Sequence, residues 1–375
     1  MGDRDSSGKN SNRVSIIAGG DIGPLIDPPE HMADLVRPIL DQVDFRVAQC
    51  DRTYSERGFY QEWKTIPGGG RTCLHPKMAS IFKSAGIDLV SLASNHALDW
   101  GYEPLFDTIE LFRSMGIHVI GAGHNSQEAR RPYILQRNGV KVAILAYCSI
   151  LRDGQAAGTN KPGISPMRAS TYYHPVDFQP GSPPRIITVP EDEDLIEMKD
   201  DIRRARKQAD AVIVILHWGI RWIPKTLANY QQPVAHAAID AGADIIIGHH
   251  SHIPKAIEVY KNKVCFYSIG NFLMTRSIKK APSLEWNLLW FQVDPDSLYG
   301  FPSGCERAIL PKIIISNKGI ERVSFLPVYI NKSAQPVVLN SKNPMFNETV
   351  DYMEWVSDYV PHKFRIDGDE VIVEK

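Results

Sequence analysis

The feature that most constrains this chain is a repeated order: an amphipathic stretch, a glycine that stops it, and then a short run rich in Val and Ile. Tyr102–Met115 is followed by Gly116 and HVIGAG, and Leu227–Ala241 is followed by Gly242 and DIIIGHH. Apolar residues at helical spacing, a glycine stop and a β-branched run are the marks of a helix that delivers a buried strand. The spacing predicts strands at VSIIAG (14–19), DLVSLA (88–93), VKVAILAY (140–147), AVIVILHW (211–218) and DIIIGHH (244–250). It predicts further helices over 30–43, 76–84 and 193–208. Such alternation defines the α/β class.

Two regions break the rhythm. Residues 152–190 carry the Pro- and Gly-rich runs GTNKPGISP and PGSPP and show neither a helical nor a strand period, as a functional lid or specificity loop would. Beyond about residue 255 the pattern turns strand-like, with KAIEVY, KVCFYSIG, LLWFQV, AILPKIII and VSFLPVYI. The expected organisation is a disordered polar tail over 1–12 and one domain over 13–340. An extension over 341–375 then carries a helix and a hairpin, FRIDGDEVIVEK, turning on Asp-Gly.

Composition removes several classes of function. The 42 Lys and Arg residues are matched by 43 Asp and Glu, a formal charge of −1, so no electrostatic footprint for nucleic acid is present. A 43% hydrophobic and 23% charged chain of 375 residues can bury a sizeable core. The five cysteines are odd in number and never spaced C-x-x-C, which fits reduced thiols in the cytoplasm. The start of the chain lacks the apolar segment of a signal peptide, and no apolar run reaches the roughly 20 residues that span a bilayer. A cytoplasmic protein without membrane contact is expected.

The chemistry gathers where the apolar strands end. VSIIAG runs into Asp21, FRVAQC into Asp51, LVSLA into Asn95, His96 and Asp99, VIVIL into His217, and DIIIG into His249, His250 and His252. In open α/β sheets ligands bind beyond the carboxyl ends of the strands. Singly these residues are ambiguous, since an Asp or Asn there also serves as a helix cap or Asx turn, and a lone His as a bonded core residue. Three imidazoles in four residues are harder to read as structural, and strand alternation would aim His250 and His252 to one side, toward a metal. Carboxylate, imidazole and amide oxygen together suit Mn²⁺, Zn²⁺ or Fe²⁺. They exceed the needs of one tetrahedral ion but suit two ions about 3.5–4 Å apart sharing a carboxylate.

The segments SLASNHALDWG, HWGIRW, GADIIIGHHSHIPKAIEVY and YSIGNF resemble those of the CapA-type proteins of poly-gamma-glutamate capsule synthesis, relatives of the calcineurin-like metallophosphoesterases. The resemblance runs in order from about residue 13 to about 335. It implies a four-layered α/β/β/α sandwich around a dinuclear metal site. It implies Asp21 and His252 on one metal, Asp51 as the bridging carboxylate, and Asn95, His217 and His250 on the second. His96 would be the general acid and Asp99 its orienting partner; His249 has no assigned role. Asn271, in a Gly-Asn-Phe turn, would position substrate. The capsule proteins usually have Asn-Leu-Glu where this chain has Gln49-Cys50-Asp51, and Glu where it has Arg221, between Trp218 and Trp222. An arginine there is either the fork for a substrate carboxylate or half of a surface ion pair.

The function these features imply is a soluble hydrolase using two divalent ions, Mn²⁺ first and Zn²⁺ or Fe²⁺ after it. Metal-bound hydroxide would attack an amide, lactam or ester bond of a small carboxylated substrate. Arg221, Trp218, Asn271, and Arg168 and Tyr172 of the 152–190 loop would contact that anionic substrate, and a homo-oligomer is compatible. The alternatives are a phosphoesterase and an accessory protein of capsule synthesis that binds polymer without turnover.

Overall fold

The computed structural model describes residues 12–61, 72–276 and 292–375. The N-terminal tail (residue 12 apart) and most of the expected strand LLWFQV lie outside the described residues. Two large sheets, one of ten strands and one of six, organise the chain. In the larger, the strands Arg13–Gly23, Phe45–Cys50, Leu89–Ser91 and His118–Ile120 run parallel in that order. On the other side of Arg13–Gly23 the antiparallel pair Arg307–Ser316 and Gly319–Ile330 continues the sheet. In the smaller, Val140–Cys148, Ala211–His217, Ile245–His249 and Lys263–Phe266 are parallel neighbours. The antiparallel strands Tyr133–Arg137 and Ile257–Tyr260 close its two edges.

Alternation along one strand shows how the layers stack. In Ala211–His217, Ile213 and Ile215 join the core shared with Ile16, Val47 and Leu310 of the larger sheet. Val212, Val214 and Leu216 face a second core with Met198, Ile202, Val234 and Ala238. Those last residues lie on the helices Asp192–Arg206 and Gln231–Ala241, which therefore cover the outer face of the smaller sheet. Helix Tyr102–Ser114 packs its Leu105, Ile109 and Phe112 into the shared core from the side of the larger sheet. The result is the expected α/β/β/α layering. Among the described residues no helix is long and apolar enough to cross a membrane, and all five cysteines are free thiols.

Several local expectations differ from what is observed. The helix expected over 30–43 is split into Glu30–Ala33 and Arg37–Leu40, because Pro38 lacks an N–H and starts a new turn rather than continuing the old one. The 152–190 region is not structureless: Ala169–His174 and Arg185–Pro190 form a six-pair antiparallel hairpin, and Gly163–Ile164 pairs with Ala122–Gly123. Its period is invisible in sequence because the hairpin is mostly solvent-exposed and has no buried face to select one. Among the described residues, the strands of the second part extend the two sheets already begun. In the C-terminal hairpin Asp367 pairs with Glu370, so the turn sits on Gly368-Asp369, one residue later than expected, where Gly368 takes φ 64°. Helix Pro344–Ser357 and that hairpin bury Phe346, Met353 and Val371 in the shared core.

Candidate metal centre

Each strand end is aimed by a local device. In Arg13–Gly23 the register against Phe45–Cys50 slips between Gly19 and Asp21, so Gly20 is an extra residue that re-aims Asp21. A Cβ on Gly20 would lie 2.1 Å from the carbonyl oxygen of Gly270, so only glycine lets the Asn271–Met274 strand come this close. Asp21 then pairs in register with Asn271. Gly248 has the same role before His249, its Cβ position lying 2.1 Å from the Tyr267 carbonyl oxygen. His217 and His249 are register partners at the ends of adjacent strands. His250 and His252 lie beyond the strand, at φ 83° and 57°. Alternation therefore does not aim them; a left-handed backbone does, a strained state that marks functional sites.

The side chains converge in two groups. Donor atoms of Asp21, Asp51 and His252 all lie within 4.8 Å of one another, and all three residues are buried. In the second group Asn95 Oδ1 is 2.8 Å from His217 Nε2 and 3.1 Å from His250 Nδ1, and those two nitrogens are 3.1 Å apart. Asp51 joins the groups, its Oδ1 lying 3.7 Å from His217 Nε2. His249 Nδ1 stands 3.5 Å from Asp21 Oδ1 and His252 Nδ1 3.3 Å from Asp21 Oδ2. Both oxygens of Asp21, together with Nδ1 of His217 and of His249, have no hydrogen-bond partner among the described residues. A buried carboxylate left with two bare oxygens is costly, and a divalent cation is the ligand that would satisfy it. The donor set fits a metal.

The electrostatics agree. Burial would raise the Asp21 carboxyl, but the neighbouring His249 and His252 outweigh it and hold Asp21 well below the ordinary carboxylate range. Burial pushes His217 down to about 4 against the opposing pull of Asp51 and Asp21. Burial, followed by the charges of His217 and Arg221, also drives His250 well below the usual imidazole value. Ionised carboxylates and neutral imidazoles are the protonation states a metal requires.

Beside this cluster His96 Nδ1 donates to Asp99 Oδ2 at 2.6 Å, and Arg152 Nη1 lies 3.3 Å from the other oxygen of Asp99. Burial would raise Asp99, yet His96 and then Arg152 bring it below its ordinary value. Asp99 keeps 2% of its side chain exposed and His96 20%, so the imidazole reaches solvent while its partner stays sheltered.

Other expected site residues fall elsewhere. Trp218 is wholly buried, its indole donating to the Tyr267 carbonyl and stacking on Tyr267; it is a core residue rather than a substrate contact, since the strand pattern continues one residue past His217. Asn271 begins a strand, accepts from His252 Nδ1 at 2.8 Å and donates to the Tyr299 hydroxyl at 2.5 Å, so it orients a histidine. Arg168 forks onto both oxygens of Asp194 at the start of helix Asp192–Arg206, and Tyr172 is exposed on the hairpin. Arg221 lies at the cluster, its guanidinium carbon 5.1 Å from the Trp222 ring centre. Sequence reasoning missed Ser94, whose hydroxyl donates to Asp51 Oδ1 at 2.5 Å, and also Arg52, Arg152, Arg276 and Tyr299. Ser94 and Arg52 adjoin expected ligands and were findable on that ground. The others are brought in by tertiary register and carry no local signal.

A two-sheet α/β protein with a buried carboxylate–histidine cluster at its strand ends has the donor groups to hold a metal ion. Residues 14–276 match the family described as bacterial capsule synthesis protein PGA_cap, and the chain belongs to that family. It is 34% identical over 194 residues to the PGA biosynthesis protein CapA of Bacillus subtilis, covering 52% of this chain and 44% of that protein. It is 32% identical over 191 residues to the capsule biosynthesis protein CapA of Bacillus anthracis, covering 51% and 41%. A probable polyglutamine synthesis accessory protein of Mycobacterium tuberculosis is 29% identical over 202 residues, covering 53% and 48%. The chain thus spans less than half the length of these relatives. Among solved structures, a calcineurin-like phosphoesterase of Bacillus subtilis, YfkN, aligns with a TM-score of 0.34 and 16% identity over 92% of this chain and 98% of that one.

Proposed function

We propose that this protein is a dinuclear metal-dependent hydrolase acting in the cytoplasm on an amide, lactam or ester bond of a small carboxylated substrate. The observation that carries this reading is the pair of donor groups joined through Asp51. Asp21, Asp51 and His252 would hold one ion, and Asp51, Asn95, His217 and His250 the other. Mn²⁺ is the first choice for such a set, before Zn²⁺ and Fe²⁺. Bound there, the ions would activate water and stabilise the negative charge that develops during hydrolysis.

The chain's own residues supply the rest. Asp99 fixes the His96 ring by accepting from Nδ1, which leaves Nε2 as the atom to protonate the leaving group. Arg152 keeps Asp99 ionised and in place. Ser94 holds one oxygen of Asp51, and Asn271 holds His252, so both ligands are oriented from behind.

Plasma mass spectrometry on protein expressed with Mn²⁺ and purified without chelator tests the centre: about two ions per chain are expected, falling in Asp51→Asn. A content near zero would sink the reading. His96→Ala should keep its metal and lose turnover by about a hundredfold or more on amide, lactone or phosphoester substrates. A second reading, an accessory role in polyglutamate capsule synthesis, is favoured by the names of the relatives. Full metal content with no turnover of any such substrate, but retention on immobilised polyglutamate, would put that reading first.

A further inference from the structure

The hairpin of Ala169–His174 and Arg185–Pro190 stands apart from both large sheets: among the described residues its two strands pair only with each other. It also gathers exposed apolar surface. Tyr172, Tyr173, Val176, Phe178, Ile186 and Val189 are each 45% exposed or more. Tyr172 and Val189 stand on one face of the hairpin and Tyr173 and Ile186 on the other, so neither face is wholly polar. A two-stranded hairpin alone in water is marginally stable at best, and apolar side chains on both faces add to what it leaves uncovered.

The two edges of the hairpin differ. On the Arg185–Pro190 side, the Thr188 N–H donates to Asn229 Oδ1 at 3.2 Å and the Thr188 hydroxyl accepts from the Tyr230 N–H at 3.2 Å. The body of the protein already holds this edge. Arg185 and Pro190 give it a charge and a proline, the usual guards of an edge strand. The other strand, ASTYYH, has no lysine, arginine, carboxylate or proline. Its main chain is also turned outward. Thr171 lies opposite Thr188, whose N–H points away from the hairpin, so the antiparallel pattern points the N–H and C=O of Thr171 away on the other side. Tyr173, two residues on, repeats that orientation.

We propose that this edge is a dimerisation surface. Ala169–His174 pairs antiparallel with the same strand of a second copy, about a two-fold axis at Thr171, to give a continuous four-stranded sheet. The order of side-chain sizes favours a second copy over an unrelated strand. Ala169, Ser170, Thr171, Tyr172 and Tyr173 run from small to large through the central threonine. Rotation about Thr171 therefore sets each Tyr173 against an Ala169, each Tyr172 against a Ser170, and the two threonines against each other, a favourable cross-strand pair. A two-fold contact uses one patch twice, so a patch that complements itself is what it requires. The area also suffices. At their exposures, Tyr172, Tyr173 and Phe178 leave roughly 350–550 Å² uncovered per copy. With the aliphatic neighbours and the strand main chain, two copies offer the roughly 1,000 Å² of a specific interface. The pairing uses no residue of the metal centre.

Sedimentation equilibrium of the full chain over a concentration series tests the surface, and wild-type protein should dimerise. Thr171→Pro removes an N–H that points away from the hairpin, so the hairpin's own ladder stays while the central intermolecular bonds are lost. Its dimer dissociation constant should rise by about tenfold or more. Tyr173→Lys sets a charge on the edge and should weaken the dimer likewise, without touching the backbone. Thermal unfolding checks that both variants fold. Amide exchange locates the contact: the Thr171 and Tyr173 N–H groups should be protected in concentrated protein and exchange freely in dilute protein. A monomer at every concentration overturns the proposal, and so does a dimer that both variants leave intact. A dimer in which those two amides exchange freely pairs through another surface and overturns it as well. Protection of the same amides in monomeric protein means that the chain's own residues cover the edge, which also overturns it.

Discussion

His217 states most clearly what the centre asks of a single residue. It ends a strand, is wholly buried, and is pushed by burial down to about 4, so it presents a neutral ring at any physiological pH. The consequence for stability has a definite sign. In chelator-treated protein the unfolded chain protonates this histidine near 6.5, whereas the folded chain resists until about 4. Between those values the unfolded state binds more protons, so stability is complete above the upper value and falls as pH drops through the window, by roughly 3 kcal/mol from this group. Urea unfolding at pH 7.5, 6 and 4.5 should show that decline and a shallower one in His217→Asn. Equal slopes in the two proteins would mean that His217 is charged in the folded state.

At the scale of elements, the strands position the centre and two glycines let them approach. Gly20→Ala and Gly248→Ala keep every donor atom, yet each new Cβ would fall 2.1 Å from a backbone oxygen of the neighbouring segment. Backbone cannot swing aside as a side chain can, so each substitution should cost about 1–3 kcal/mol and reduce bound manganese to half or less. Normal metal loading in both would show that the close approach is not what sets the geometry. Much of this was legible beforehand: buried strands announce themselves by Val and Ile runs, and Asp21, Asp51, Asn95, His217 and His249 fall at or just beyond their ends. What was not legible has physical reasons. The hairpin at 169–190 lacks a buried face to impose a period. His250 and His252 are aimed by left-handed backbone rather than by alternation. Arg276 follows a strand that pairs with Asp21–Gly23, far back in the sequence, and Tyr299 is brought in by hydrogen bonds to Asn271 and Arg276. Trp218 was misplaced because a buried indole and a cleft-lining one look alike in sequence.

For the whole molecule, the centre lies where the two sheets meet. Asp21, Asp51 and Asn271 come from the larger sheet or its strand ends, and His217, His249, His250 and His252 from the smaller. Nδ1 of His249 and of His252 already approach the Asp21 oxygens across that boundary, at 3.5 and 3.3 Å. A cation held by donors from both sheets therefore fastens the layers to each other as well as creating a reactive site. The unfolded chain has no such arrangement, so binding adds directly to folding stability, by about 2.7 kcal/mol when free metal is a hundred times its dissociation constant. Calorimetric unfolding should accordingly show one transition that moves up when Mn²⁺ is restored to chelator-treated protein, with little shift in Asp51→Asn. Because the staple joins the sheets, amide exchange should slow at the ends of strands in both, around 21–23 and 247–252 alike. Slowing confined to one sheet would mean that the ion is held by that sheet alone, and that the donor groups do not act as a joint centre.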